Sequence, residues 1–135
     1  MAYLEWNDTF SVHVQELDEH HQRIIEMING LRNILEQDTA DAEVVAVVHN
    51  LIDYASTHFR TEERYMMQFG FAESESHEAE HDRFIEQVLV YQERLNRGEK
   101  VILAELLRFL KDWLVQHILG TDKQYSQFFN DKGLH

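Results

Sequence analysis

Five histidines and two carboxylates recur in this chain at intervals that bring donor atoms together on helices. The set consists of His21, His58, Glu62, His77, His81, His117 and Asp122. Residues at positions i and i+4 project from one helix face about one turn apart. His58 and Glu62 form one such pair, and His77 and His81 form another. Buried histidine and glutamate cost free energy unless a partner satisfies them. The set therefore predicts metal binding inside a helical core.

The number of donors favours two metal ions over one. Five imidazoles and two carboxylates exceed the ordinary coordination of a single ion, whereas carboxylates can bridge a pair. Imidazole suits zinc, copper, iron and nickel, and carboxylate bridges suit iron and manganese. The chain has no cysteine, so thiolate zinc sites and iron–sulfur clusters are excluded. A nitrogen-rich pair of ions with open coordination indicates iron and O2 chemistry.

The interval between His117 and Asp122 does not fit a straight α-helix. Residues five apart point about 140° apart around the axis at 3.6 residues per turn. Gly120 stands between the two. We predict that the chain bends at Gly120 and thereby directs the Asp122 side chain to the metal. An unbroken helix with Asp122 in water would contradict this prediction.

Apolar periodicity predicts the helices that carry these donors. We predict helices over about 18–36, 41–69, 74–97 and 101–119. Apolar residues spaced by three, four or seven are clear in the last three of them. Asp18 is the expected N-cap of the first, and Gly70, Gly98 and Gly120 follow the ends of the other three. The donors lie on the apolar stripes. Four amphipathic helices with short connections predict an all-α, up-down-up-down four-helix bundle.

The two ends of the chain add smaller elements to this bundle. Residues 1–16 are expected to form an arm that packs through its aromatic side chains. Tyr125, Phe128 and Phe129 at helical spacing predict a short C-terminal helical tail. At 135 residues the chain fits a single domain over 1–135.

The net charge of −13 limits the partners of the chain. Such a surface repels phosphate backbones and anionic lipid heads, so we expect neither nucleic acid nor membrane as a partner. No apolar run approaches the roughly 18 residues of a membrane span. No secretory signal is evident, so we expect a cytoplasmic location. Without an evident exposed apolar stripe, we expect a monomer.

Each histidine taken alone has an ordinary alternative, a buried and hydrogen-bonded core residue. The alternative is weak for the whole set, because the donors recur on the apolar stripes of several helices, and a lone glutamate there is rarely left unpaired. Periodicity does not choose between His20 and His21, which flank the stripe of the first helix equally. Three histidines fall outside the motifs and are expected in solvent: His13, His49 and His135.

Four segments of the chain resemble the hemerythrin family, specifically its single-domain bacterial members. They are Leu-Asp-Glu-His-His at 17–21, His-Phe-Arg-Thr-Glu-Glu at 58–63, His-Glu-Ala-Glu-His at 77–81, and Trp-Leu-Val-Gln-His-Ile-Leu-Gly-Thr-Asp at 113–122. The resemblance extends over nearly the whole chain. Taken together the motifs are highly specific, although any one alone would not be.

The resemblance implies two iron ions with an oxo or hydroxo bridge. It implies one coordinatively full iron held by His77, His81 and His117. It implies a second iron, held by His21 and His58, that keeps an open position. Both irons would be bridged by Glu62 and Asp122. The family motif selects His21 as the ligand; His20 stands where the family usually has Gln, so we expect it to support a ligand or lie on the surface.

The resemblance also implies an apolar wall around the open position. The expected wall residues are Ile24, Phe59, Trp113, Leu114 and Ile118. Plain core packing is compatible with the same positions. Tyr125 is expected either to support the Asp122 carboxylate or simply to pack.

The function that the resemblance implies is reversible O2 binding, for storage, delivery or sensing. Delivery would have an O2-consuming enzyme as the partner. The alternatives are a di-iron redox enzyme (oxidase, peroxidase or nitric oxide reductase) and an iron-handling protein on the same scaffold. No proton donor or electron route is evident near the open position, so we expect a binding protein rather than an enzyme, with no catalytic residue.

Overall fold

The computed structural model describes residues 3–37, 41–99 and 102–135, and these form helices joined by short connections. The α-helices are α1 (Gln15–Gln37), α2 (Asp41–Phe69), α3 (Ser74–Asn96), α4 (Ile102–Gln116) and α5 (Lys123–Asp131). A 3-10 turn over Asp8–Phe10 precedes α1, and a π-helix over His117–Asp122 joins α4 to α5. The predicted all-α class is confirmed.

The four long helices close into a bundle. Helix α1 packs against α2 and α4, and α3 packs against the same two helices. The core between them is built from aliphatic side chains at helical spacing, among which Leu17, Leu51, Val88 and Leu106 are no more than 1% exposed. Burying one such side chain contributes about 1.5–3 kcal/mol. The up-down-up-down four-helix bundle predicted from the sequence is thus confirmed.

Helices α2 and α3 end at glycines, as predicted. Gly70 and Gly98 adopt φ angles of 74° and 87°, in the left-handed region that glycine enters without a Cβ penalty. The Phe71 N–H donates to the Met66 carbonyl at 2.9 Å. This bond back across the last turn satisfies a carbonyl that would otherwise lack a partner at the helix end.

The start of α1 differs from the prediction. The helix begins at Gln15, so Asp18 lies inside its first turn and is not the N-cap. The Asp18 carboxylate instead accepts hydrogen bonds from Ser11 Oγ at 2.6 Å and from the Val12 N–H at 2.8 Å. The side chain expected to begin the helix therefore anchors the preceding arm.

The arm and the tail both pack on the bundle. The Asn29 amide bonds the Leu4 N–H and the Leu4 carbonyl, each at 2.9 Å. Ser126 Oγ of α5 donates to the Val12 carbonyl at 2.6 Å. The predicted helical tail is confirmed as α5. The predicted start of the fourth helix at Val101 lies outside the described residues.

Two further observations concern the surface. His13, His49 and His135 are exposed, as predicted. In the ranges 3–37, 41–99 and 102–135, no helix combines the length and the apolar character needed to cross a membrane.

Candidate metal centre

The seven predicted donor residues all lie in the interior of the bundle. Each is no more than 4% exposed. Helix α1 carries His21, α2 carries His58 and Glu62, α3 carries His77 and His81, and the π-helix carries His117 and Asp122. Four elements thus converge on one buried polar region inside an apolar core.

The π-helix determines the position of Asp122. A π-helix joins residues i and i+5 by hydrogen bonds, so residues five apart share a face. His117 Nε2 lies 2.9 Å from Asp122 Oδ1. The predicted helix end and bend at Gly120 are wrong, because the helix continues through this residue. A wider turn, rather than a bend, directs Asp122 inward.

Donor atoms converge in two overlapping groups. One donor atom from each residue lies within 4.8 Å of the others in a group of His21, His58, Glu62 and Asp122, and in a second group of Glu62, His81, His117 and Asp122. We call the side with His21 and His58 the two-histidine end, and the side with His77, His81 and His117 the three-histidine end. Both carboxylates are shared, which is the arrangement that bridging ligands require.

The spacing of the donors suits metal coordination. His58 Nε2 lies 3.0 Å from Glu62 Oε1, and His21 Nε2 lies 3.2 Å from Asp122 Oδ2. At the other end, His81 Nε2 lies 3.2 Å from the His117 Nε2. Bonds of about 2.1 Å at right angles around a first-row metal ion place neighbouring donors about 3 Å apart. The observed separations match this value.

Several of these buried atoms lack a hydrogen-bond partner. Within the described part of the chain they are His21 Nδ1, Glu62 Oε1 and both Asp122 carboxylate oxygens. The oxygens are close to imidazole nitrogens but not at hydrogen-bonding angles. Leaving buried polar groups unsatisfied costs free energy. Cations between these donors would satisfy the carboxylates, so the residues present fit a pair of metal ions.

His77 is adjacent to this constellation without belonging to either group. Its ring centroid lies 6.4 Å from that of His81 and 6.2 Å from that of His117. Its Nε2 faces the Thr121 carbonyl at 2.9 Å, and its Nδ1 faces the Glu73 carbonyl at 3.2 Å. The structure therefore brings six of the predicted donors together and directs the seventh toward the backbone.

Two of the histidines contact a carboxylate of another helix through Nδ1. His81 Nδ1 lies 2.8 Å from Glu63 Oε2, and His117 Nδ1 lies 2.8 Å from Glu80 Oε2. Metal-bound histidines almost always donate this second N–H to a carboxylate, carbonyl or water. Sequence reasoning assigned no role to Glu63 or Glu80. Glu63 follows Glu62 in the chain and Glu80 precedes His81. The histidine that each contacts lies on another helix, and spacing along one helix does not predict such a contact.

His20 and Tyr125 also contact predicted donors. His20 Nδ1 lies 2.8 Å from His58 Nδ1, so His20 supports a donor, one of the two roles expected for it. The Tyr125 hydroxyl donates to Glu62 Oε2. The expectation that Tyr125 supports Asp122 is therefore wrong; it supports the other shared carboxylate.

Electrostatic interactions keep both shared carboxylates ionised. Burial and the Asp122 charge act to raise the pKa of Glu62, but attraction to His58 and His81 outweighs them and lowers it to about 2. Burial likewise opposes ionisation of Asp122, yet His117 holds its pKa well below the usual range. Burial acts to lower the pKa of His117, and the Asp122 charge overcomes it, raising the pKa to about 9. Imidazolium and carboxylate thus balance each other's charge.

The five residues predicted to form the apolar wall are buried or half-buried. Ile24, Phe59, Leu114 and Ile118 are no more than 5% exposed, and Trp113 is half-buried. The Phe59 ring stacks on His81 at 3.9 Å between centroids, and the Trp113 ring stacks on His117 at 4.2 Å. The two aromatic rings therefore lie against histidines of the three-histidine end, although they were predicted to surround the open position at the other end.

Comparisons with known proteins identify relatives along nearly the whole chain. The family described as Hemerythrin HHE cation binding domain matches residues 12–129. A bacteriohemerythrin of Stenotrophomonas maltophilia is 36% identical, over 93% of this chain and 81% of that protein. A bacteriohemerythrin of Methylococcus capsulatus is 33% identical, over 93% and 96%. A crystal structure of a wild-type hemerythrin matches with a TM-score of 0.86 and 33% identity, over 93% of this chain and 97% of the other.

Proposed function

The chain belongs to the hemerythrin family, and on that premise we propose that it binds O2 reversibly at a non-haem di-iron centre. The observation that carries this proposal is the pair of donor groups that share Glu62 and Asp122. Two metal ions bridged by these carboxylates would satisfy the buried oxygen atoms that lack partners. We further propose that 1–135 is a single hemerythrin-like domain that stores or delivers O2.

The proposed ligands divide between the two ends. His21 and His58 would hold one iron, the one at which the family resemblance implies an open position. His81 and His117 would hold the other iron, and the family resemblance adds His77 to it. Glu62 and Asp122 would be shared by the two ions. When bound, the iron pair supplies the electrons that make O2 binding possible and reversible.

The protein contributes a largely apolar environment to this chemistry. Ile24, Leu114 and Ile118 are buried apolar side chains, and neither aromatic wall residue carries an ionisable group. The indole N–H of Trp113 is the one polar group of this wall. Exclusion of water and of proton donors favours release of O2 over cleavage of its bond. The same wall would slow the loss of electrons to solvent-borne oxidants.

A single optical experiment tests the proposal. The iron-loaded protein is reduced without oxygen, exposed to air and then purged with argon, while its visible spectrum is followed. A charge-transfer band that appears with O2 and disappears on purging would support a reversible carrier. Rapid and irreversible conversion to a diferric spectrum would overturn it.

One observation favours a second candidate, a di-iron redox enzyme. Trp113 is stacked on the ring of His117 and is partly exposed, so a stacked aromatic contact connects a proposed ligand with the surface. Electron supply through Trp113 would allow turnover rather than storage. Irreversible oxidation by air in the optical experiment, followed by repeated turnover with an external reductant, would favour this candidate.

A further inference from the structure

His20 makes an unusual contact with a proposed ligand at the two-histidine end. Its Nδ1 lies 2.8 Å from His58 Nδ1. The two rings are almost perpendicular, at 87°, with centroids 5.0 Å apart. The ring nitrogens therefore meet edge to edge, at a distance that accommodates one hydrogen atom between them.

The roles of the two nitrogens follow from coordination chemistry. His58 Nε2 faces Glu62 Oε1 at 3.0 Å and belongs to the donor group. A ring nitrogen that binds a metal carries no hydrogen, so the neutral His58 ring carries its hydrogen on Nδ1. This N–H donates, and His20 Nδ1 accepts. His20 in turn carries its own hydrogen on Nε2.

The position of His20 is itself restrained. Its ring packs edge-on against the Tyr54 ring at 82°, with centroids 5.9 Å apart, and its backbone lies inside α1. His21 offers no comparable support, because its Nδ1 has no hydrogen-bond partner among the described residues. Among the described residues, the contact with His20 is therefore the Nδ1 contact that orients a proposed ligand ring at this end.

We propose that His20 is a positioning residue: by accepting the hydrogen bond from His58 Nδ1–H, it holds His58 Nε2 toward the iron of the two-histidine end. The proposal rests on the proposed function, because it assumes that His58 is a ligand. Loss of a hydrogen-bond partner of this kind typically weakens metal binding about 10–100-fold. The effect should be confined to one of the two ions, since His20 contacts no donor of the three-histidine end in the described residues.

A pair of substitutions of similar shape separates the hydrogen bond from packing. In His20→Asn the amide oxygen occupies roughly the position of Nδ1 and can accept from His58. In His20→Leu the shape is similar but the acceptor is absent. His49→Leu serves as a control, because His49 is exposed and remote in sequence from the donors.

The measurement is an anaerobic titration with Fe2+ in competition with a chromophoric chelator, which gives the number of ions and the affinity of each. We expect His20→Leu to weaken one of two ions about 10–100-fold, and His20→Asn to restore wild-type affinity. Thermal unfolding of the metal-free variants checks their folding. Equal affinity of both ions in His20→Leu and wild type would overturn the inference, as would equal loss in the Asn and Leu variants. A wild-type chain that binds fewer than two ions would instead overturn the proposed function.

Discussion

At the three-histidine end, His81 Nδ1 and His117 Nδ1 each lie 2.8 Å from a glutamate carboxylate. At the two-histidine end, His58 Nδ1 lies 2.8 Å from the imidazole of His20, which we propose as its acceptor. A carboxylate partner raises the basicity of a metal-bound imidazole. We therefore expect the iron of the three-histidine end to be the more electron-rich and the more easily kept as Fe3+. The two ends therefore differ in the charge behind their histidines.

The two ends also differ in their access to water. Glu63 and Glu80 have side chains 23% and 34% exposed, and they line surface cavities of 270 Å3 and 240 Å3 respectively. At the two-histidine end, the residue behind His58 is His20, which is half-buried. His21 Nδ1 has no hydrogen-bond partner in the described residues. Solvent therefore reaches the carboxylates behind the three-histidine end, and the half-buried His20 holds the corresponding place at the two-histidine end.

The largest expected effect is at Glu62, which belongs to both ends. Replacing Glu62 by glutamine removes a bridging charge but retains the shape, so both ions should lose affinity together. We expect total iron to fall from two ions per chain to fewer than one, measured by elemental analysis. Glu78→Gln, at an exposed position of α3, is the matched control. Retention of one full ion would show that the ends do not share this carboxylate.

The next effect separates the ends. Replacing His81 by alanine should remove the iron of the three-histidine end, leave the other, and lower stability, because His81 lies in one donor group alone. His77→Ala should act in the same way if His77 is a ligand. Iron content and thermal unfolding measure both effects.

His77→Ala is the more discriminating of the two variants. His77 Nε2 faces the Thr121 carbonyl in this structure. Two ions retained in His77→Ala, with one lost in His81→Ala, would assign His77 to the π-helix backbone rather than to iron. Normal iron in both variants would contradict the ligand assignment altogether.

A smaller effect is expected from the charges behind the ligands. Glu63→Gln and Glu80→Gln should each weaken iron binding at the three-histidine end about 10–100-fold. They should also raise the reduction potential, because Fe3+ loses more support than Fe2+. Chelator competition and a redox titration measure these changes. Glu86 is an exposed carboxylate in the same cavity as Glu63, and Glu86→Gln should change neither the iron affinity nor the reduction potential. An unchanged potential in all three variants would contradict an effect of the glutamate charges on the iron.

The smallest effect on the metals is expected at the apolar wall. Leu114 is 4% exposed, and Leu114→Ala should cost about 2–5 kcal/mol of unfolding free energy. Admission of water should also speed oxidation in air several-fold, followed optically. Leu110→Ala, one turn earlier and 1% exposed, should cost similar stability without changing the oxidation rate. Equal rates in both variants and wild type would exclude Leu114 as a wall of the O2 site.

Local signals in the sequence predicted the helices well. The ends of α2 and α3 followed from glycines with positive φ, because that conformation is a property of the residue itself. The start of α1 was predicted less well. Asp18 has the side chain of an N-cap, but it bonds backward to Ser11 and Val12. The same carboxylate can cap a helix or bond the segment before it. Only the path of that segment decides which of the two it does.

The π-helix is the main feature that periodicity did not predict. The sequence showed that Asp122 is out of phase with His117 in an α-helix, and Gly120 indicated a bend. The structure keeps the helix continuous and widens one turn. A wider turn depends on packing against neighbouring elements, since the local residues alone favour the α-helix.

The sequence by itself determined the fold class, the family motifs and the residues that supply nitrogen and oxygen donors, because these depend on residue type and on spacing within one helix. Tertiary structure decided which donors share a group and that Tyr125 contacts Glu62. It also decided the Nδ1 contacts of three donors, which are those of His58 with His20, His81 with Glu63, and His117 with Glu80. Each of these contacts joins different elements of the bundle. Distances between helices depend on how the whole core packs, and no spacing along one helix encodes them.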